Sequence, residues 1–176
     1  MSRYRRLVVP GGTYFFTVRL EDRSSDLLVR EVALLRDSVR LCRRCWPFAI
    51  DVAVILPDHL HMIWTLPHDD GDFSRRWRLI KSTFSRHVEA PARRSRSKAE
   101  RGEKGIWQRR FWEHRIRDAA DFAAHRGFAL TAPVRAGLVA RPQDWALSSL
   151  HRDLAAGLRL PSAVSGGYGP VARERA

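Results

Sequence analysis

The stretch "FAIDVAVILPDHLHMIWTLP", residues 48–67, consists of two short apolar runs on either side of Pro57-Asp58. Each run is rich in β-branched and aromatic residues, the composition of a half-buried strand. A proline is confined to an edge or a break in a ladder, so Pro57-Asp58 marks the turn or bulge between the two strands. Side chains alternate along a strand, which puts His59 and His61 on one face with Pro57 and Ile63, and Asp58, Leu60 and Met62 on the other. Two imidazoles so placed can grip one metal ion, or one phosphate if both are protonated. The competing reading is a pair of polar groups hydrogen-bonded at a sheet edge.

Working outward, "GGTYFFTVRL" is a turn followed by a strand, with Tyr14, Phe16 and Val18 on one face and Phe15, Thr17 and Arg19 on the other. Between Asp26 and Cys45, Leu27, Leu28, Val32, Leu35, Val39 and Cys42 recur at three- and four-residue steps, the period of an amphipathic helix. After the hairpin, "DFSRRWRLIKSTFSRHVEA" returns to helical period, with Phe73, Trp77, Ile80 and Phe84 inward and Arg76, Lys81 and Arg86 outward. Residues 90–105, "APARRSRSKAERGEKG", have no apolar period and read as a mobile basic loop. "IWQRRFWEHRIRD" alternates Phe111, Glu113 and Arg115 against Trp112, His114 and Ile116 and fits a fourth strand. "DAADFAAHRGFALTA" opens on an acidic turn and reads as a helix ended by Pro133, with Gly127 as a weak point. The order predicts an α+β, ferredoxin-like sandwich: a mainly antiparallel sheet with helices packed on one face and the other face free for a partner.

Composition narrows the function. At 176 residues with 44% hydrophobic content the chain is long enough to bury a core, and we expect one domain over residues 1–160 with a flexible tail over 161–176. The formal charge of +13, from 32 basic and 19 acidic residues, favours a polyanionic partner. With no apolar run long enough for a membrane span or a signal peptide, a cytoplasmic protein without a membrane partner is expected. Cys42 and Cys45 read as a reduced, partly buried pair, since two thiols alone do not make a zinc site. Lys81, Arg109, Arg110 and Arg115 are the candidate DNA contacts, while Trp107, Phe111 and Trp112 read as core residues. His68, His87 and His151 read as surface residues.

From about Tyr4 to Ser149 the chain resembles the REP-associated tyrosine transposases, the single-tyrosine branch of the HUH endonucleases. The matching blocks are "YRR", "GGTYFFTV", "LPDHLHMIW", "LIKSTFSR", "IWQRRFWEHRIRD", "DFAAHRGF", "PVRAGLV" and "DWALSS", in that order. The resemblance implies a ferredoxin-like homodimer that binds folded single-stranded DNA hairpins. It also implies that His59 and His61 hold a divalent ion, magnesium or manganese, against the scissile phosphate.

The family's attacking tyrosine lies on the helix after the fourth strand, where it forms a phosphotyrosine link. Where the family has Tyr-Ile-x-x-Asn-Pro-Val, this chain reads "FALTAPV", which puts Phe128 at the nucleophile position and Ala132 at that of the asparagine completing the metal site. Weak metal binding or none, and impaired cleavage, are therefore expected. Asp121 and His125 share a helix face with Phe128 and Ala132, and with His114 they are candidates for the third ligand; their other reading is structural. Of the three tyrosines, Tyr4 and Tyr14 read as structural and Tyr168 sits in the tail. Three functions stay open: a hairpin-binding transposase relative with impaired cleavage, an active nickase and ligase with another nucleophile, and a non-catalytic DNA- or RNA-binding regulator.

Overall fold

A computed structural model describes residues 8–89 and 96–158. The expectations for Tyr4, Tyr168, the tail and residues 90–95 of the basic loop lie outside the described residues. The chain runs β1 (Thr13–Arg19), α1 (Leu27–Arg30), α2 (Val32–Cys45), β2 (Ala49–Ile55), β3 (His59–Thr65), α3 (Phe73–Arg86), α4 (Arg96–Glu100), β4 (Trp112–Arg115), α5 (Ala119–Leu130), α6 (Ala132–Arg135), a 3-10 turn (Pro142–Asp144) and α7 (Leu150–Ala155). The sheet order is β2-β3-β1-β4 with every ladder antiparallel. This is the ferredoxin-like arrangement expected, and it makes β3 an interior strand. The sheet-edge reading of the two histidines is thereby corrected.

The strand alternation read from the sequence divides the molecule into two cores. Tyr14, Phe16, Val18, Leu60, Met62 and Trp64 face α2 and α3, whose stripes bury Leu35, Val39, Cys42, Phe73, Trp77, Ile80 and Phe84. The opposite face holds Phe15, Val52, Val54, Ile63, Ala129, Leu130, Ala132 and Leu150. That face is not free, as the alternation alone suggested, because α5, α6 and α7 cover part of it. The helix expected from Asp26 breaks at Glu31, and Cys42 is buried while Cys45 is exposed, both as free thiols. Burial pushes the Cys42 thiol up to about 11, so it stays protonated.

Caps set the helix starts. The Asp72 carboxylate accepts from the Arg75 N–H at 2.8 Å, and Asp118 accepts from the Asp121 N–H at 2.8 Å. Gly127 is buried within α5 and does not interrupt it. Nor does Pro133 end the helical course. Having no N–H to offer, it accompanies a break at Thr131, and α6 restarts with the proline in its first turn.

Three further expectations are corrected. The fourth strand is only Trp112–Arg115; residues 106–111 reach the sheet through one bridge, Trp107 to Leu20. The basic loop contains α4, docked by Lys98, whose Nζ lies 2.6 Å from a Glu21 carboxylate oxygen and 3.4 Å from the Trp107 carbonyl. Arg76 does not face solvent. It is buried beneath α3, where its guanidinium donates to Asp70 at 2.8 Å, to the Pro47 carbonyl at 2.9 Å and to the Asp72 carbonyl at 3.0 Å. Burying a guanidinium is tolerable only with such partners.

The outer edge of β2 is closed by the segment after α6. Ile55 donates to the Leu147 carbonyl at 2.9 Å, and Ala53 and Ser149 exchange bonds of 3.1 and 2.7 Å. Covering an edge in this way blocks unwanted strand pairing. Arg126 of α5 then pairs with the buried Asp153 of α7 at 2.9 Å, tying the second helical layer together. No helix among the described residues is long and apolar enough to cross a membrane.

Candidate functional site

His61 sits in mid-sheet, opposite Thr17 of β1 and Val54 of β2. It is 4% exposed, and its Nδ1 lies 2.9 Å from the Thr17 hydroxyl. His59 starts β3, and its Nδ1 lies 2.7 Å from Asp58 Oδ1, while the other Asp58 oxygen is bound by Arg23. The two rings are 5.0 Å apart and nearly perpendicular. In each ring the Nδ1 has a partner, which leaves Nε2 as the donor atom for a ligand, and partners of this kind orient metal-ligating histidines.

Burial lowers the affinity of both imidazoles for a proton. For His59 the Asp58 carboxylate opposes the effect without cancelling it. For His61 the positive potential of His59, Arg135 and Arg19 adds to burial and drives it well below the ordinary value. Both rings are therefore neutral near pH 7, the form that binds metal rather than the one that pairs with a phosphate. Asp58 remains ionised below the usual carboxylate range: burial pushes it up, but the bonds from His59 and Arg23 outweigh that.

Phe128 comes from α5 and meets this pair edge-on, with its ring centroid 5.4 Å from that of His61. The Arg135 guanidinium lies 4.0 Å from the Phe128 ring centroid and donates to the Phe128 carbonyl at 2.8 Å. Ala132 is 3% exposed and packs in the second core. The sequence reading brought out neither Arg135 nor Thr17. The first lay unremarked in "PVRAGLV", and the second depends on strand register across 44 positions, which no local pattern reveals.

The third-ligand candidates form a group of their own. His114 Nε2 is 2.9 Å from Asp121 Oδ2, and His125 Nδ1 is 3.0 Å from Asp121 Oδ1. Donor atoms of the three residues all lie within 4.8 Å of one another. Phe15 packs between this group and His61, its ring 5.0 Å from His125 and 5.5 Å from His61. In register, His114 is opposite Phe15 and so two strands, roughly 10 Å, from Ile63. The His114 and His125 rings are stacked at 4.3 Å with 14° between planes, and Trp112 stacks on both. Parallel rings hold their lone pairs in separate planes, which suits a shared carboxylate better than a shared ion. That carboxylate lies at about 2: burial pushes it up, but bonds from His114 and Arg117 outweigh it.

The candidate DNA contacts divide similarly. Lys81 and Arg109 line one cleft between α3 and residues 102–111, whereas Arg110 and Arg115 are exposed outside its lining. Lys81 donates to the Gln108 carbonyl at 2.8 Å, and the Arg109 Nε–H is shared between the two Glu103 carboxylate oxygens, each at 3.1 Å. Trp107 is buried and Phe111 and Trp112 are partly so, as expected; His68, His87 and His151 are exposed.

No protein-family model matches the sequence. Two curated proteins do. The REP-associated tyrosine transposase of Escherichia coli K12 is 44% identical over 158 residues, 90% of this chain and 88% of the relative. A putative REP-associated tyrosine transposase of Haemophilus influenzae is 39% identical over 157 residues, 89% of each chain. A solved REP-associated tyrosine transposase bound to a REP hairpin superposes with a TM-score of 0.78 at 44% identity, over 90% of this chain and 88% of that one. Identity at this level along nearly the whole length of both chains goes beyond a shared fold, and the protein belongs to the family of REP-associated tyrosine transposases.

Proposed function

We propose that this protein binds single-stranded DNA hairpins of the REP type and lacks the family's covalent strand-transfer step. One observation supports the second half: the side chain lying edge-on to His61 is the ring of Phe128, which carries no oxygen. Phosphotyrosine formation needs that oxygen. Tyr14 is no substitute. It is 1% exposed on the other side of the sheet, and its hydroxyl accepts from the Val9 N–H at 2.7 Å. The first half rests on family membership, on the related structure that holds a REP hairpin, and on the +13 charge.

A divalent ion, magnesium or manganese, fits the His59 and His61 pair as far as the donor set goes: two neutral imidazoles, each with its second nitrogen engaged. Such an ion, when bound, polarises a phosphoryl oxygen. Among the described residues the pair has no third protein ligand, since Ala132 offers none and His114, Asp121 and His125 belong to the group beyond Phe15. Manganese binding is therefore expected to be weak, with most positions left to water. By titration calorimetry, His59→Ala should abolish the manganese heat. Tight binding by the unmodified protein would show that a third side chain completes the site.

Hairpin binding is tested by fluorescence anisotropy across a salt series. Affinity should fall log-linearly with salt concentration, with a slope set by the number of phosphates neutralised. A matched RNA hairpin should compete poorly. A flat salt response or equal competition by RNA would replace this proposal with that of a regulator acting on another nucleic acid.

A further inference from the structure

At the sheet edge away from β4, α2 and the outer side of β2 leave a groove of about 310 Å³ between them. Arg36, Arg40 and Arg43 follow one another along α2 at steps of four and three residues, so they form one exposed row of roughly 10 Å on its rim. No carboxylate is among the side chains that line the groove. Arg40 pairs with Asp37, which is itself exposed and outside the lining, and Arg43 donates its Nε–H to the Phe48 carbonyl at 3.1 Å. The floor is aliphatic. Ile50 and Ala53 of β2 and Leu147 of the segment that closes its edge are partly buried against the core of α2 and α3, and the buried Met62 completes the surface. The bond from the Ile55 N–H to the Leu147 carbonyl at 2.9 Å fixes that segment to the strand, so the floor exists before anything binds.

Floor and rim together select the occupant. Nucleic acid answers the cations but not the floor: no aromatic side chain lines the groove for a base to stack on, and a sugar-phosphate backbone has no aliphatic group to bury there. A purely apolar segment answers the floor but takes water from the guanidinium groups without giving them acceptors. A peptide with aliphatic side chains on one face and carboxylates beside them answers both. Laid along α2 as a helix it repeats the same spacing of three and four, so carboxylates one turn apart meet arginines one turn apart. A groove of this volume, at the lower end of ligand-site sizes, takes the side chains of such a segment rather than the whole segment. We propose that this groove docks an acidic amphipathic segment of a partner protein. The surface is separate from the sites described above. His59, His61 and Phe128 face the other side of the sheet, and β2 lies three strands, roughly 14 Å, from β4, on whose side Lys81 and Arg109 stand. The proposal therefore stands independently of the hairpin reading, and DNA and the partner can be held together.

The probe is a fluorescein-labelled synthetic peptide of about four helical turns, with leucine along one face and glutamate on both sides of it, added to the full chain and followed by anisotropy. A protein of charge +13 attracts any polyanion, so two matched peptides set the baseline. Replacing the leucines by serine keeps the charge and should weaken binding by about tenfold or more, the worth of one buried leucine side chain. Replacing the glutamates by glutamine keeps the apolar face and should weaken it by about fivefold. On the protein, Arg40→Glu should weaken the original peptide by about fivefold, whereas Arg101→Glu, the same change of charge at an exposed position after α4, should cost less than about twofold. Leu147→Ser removes a floor side chain and leaves the backbone bond in place, and it should also cost about fivefold while the thermal melt stays cooperative. If Leu147→Ser does not fold, Arg40→Glu decides. Saturating hairpin DNA should leave the peptide bound. Displacement of the peptide by hairpin DNA would overturn the proposal and mark the groove as a nucleic-acid contact. Equal binding of the leucine and serine peptides, or equal losses in Arg40→Glu and Arg101→Glu, would overturn it as attraction by net charge alone.

Discussion

Incubated with a labelled hairpin and manganese, the unmodified protein should leave no covalent band on a denaturing gel, whereas Phe128→Tyr combined with Ala132→Asn should produce one. Each half follows from the proposed reading. The Phe128 ring lies against His61 with Arg135 over it, so a tyrosine at this position would present its hydroxyl beside the histidine pair. What is missing is an atom rather than an orientation, and positioning without a nucleophile accelerates nothing. Phe128→Tyr alone should yield little, because His59 and His61 would still hold an ion by two side chains. The added asparagine needs a check of its own. Ala132 is 3% exposed, and an amide left there without a partner costs about 1–3 kcal/mol, so the double variant's thermal melt must accompany the gel. A covalent band from the unmodified protein would sink the proposal and direct the search to Tyr4 and Tyr168. A silent double variant that still melts cooperatively and binds hairpin would show that activity has been lost at more than these two positions.

Much of this was legible in the sequence because it rests on local period. The hairpin of β2 and β3, the alternation in β1 and the stripes of α2 and α3 all follow from spacings of two or of three and four residues. What was not legible is non-local or contradicts residue type. The interior place of β3, which decides that His61 is buried and neutral, comes from its pairing with β1 on one side and β2 on the other. The α4 turn has no apolar period and is held by Lys98 reaching Glu21, far away in sequence. The closing of the second sheet face depends on α7, a helix of six residues whose hold on β2 passes through Arg152 and the Ile50 and Asp51 carbonyls. At the candidate site, the shared face of His59 and His61 follows from alternation, and the structure brings the Phe128 ring to His61. The separation of His114, Asp121 and His125 from the pair does not follow from alternation, because Phe15 intervenes through strand register.

Arg76 shows the conflict between period and residue type most clearly, and it leads to the largest expected loss of stability. It stands three positions after Phe73 and four before Ile80, so helical spacing places it on the apolar stripe while its charge argues for the surface. The spacing prevails because three acceptors await the guanidinium: Asp70, and the carbonyls of Pro47 and Asp72. One side chain thus pins the start of α3 to the α2–β2 connection and to the loop after β3. Arg76→Ala leaves a void and takes a donor from each acceptor; the Pro47 and Asp72 carbonyls lose most, since Asp70 is partly exposed and keeps the Asp72 N–H and Arg75, for a loss of about 2–4 kcal/mol. At this chain length that lowers the melting temperature by roughly 10 °C. Arg76→Lys should recover only part of it, because one ammonium cannot span the acceptors that a planar fork reaches. Acid titration gives an independent reading. The Arg76 hydrogen bond holds Asp70 below the usual carboxylate range, with burial opposing it. A depressed carboxylate stabilises the fold above its unfolded value of about 3.9 and loses that contribution as pH falls through its folded value. Acidification below about pH 4 should therefore erode the unmodified protein more than Arg76→Ala, so their melting curves draw together. If the two melting temperatures stay a constant distance apart down to the acid limit, Asp70 is not the partner that matters. The stabilisation must then come from the two carbonyls. In either case the outer face of α3, which carries Arg78 and Lys81, is held in place from beneath by a buried cation.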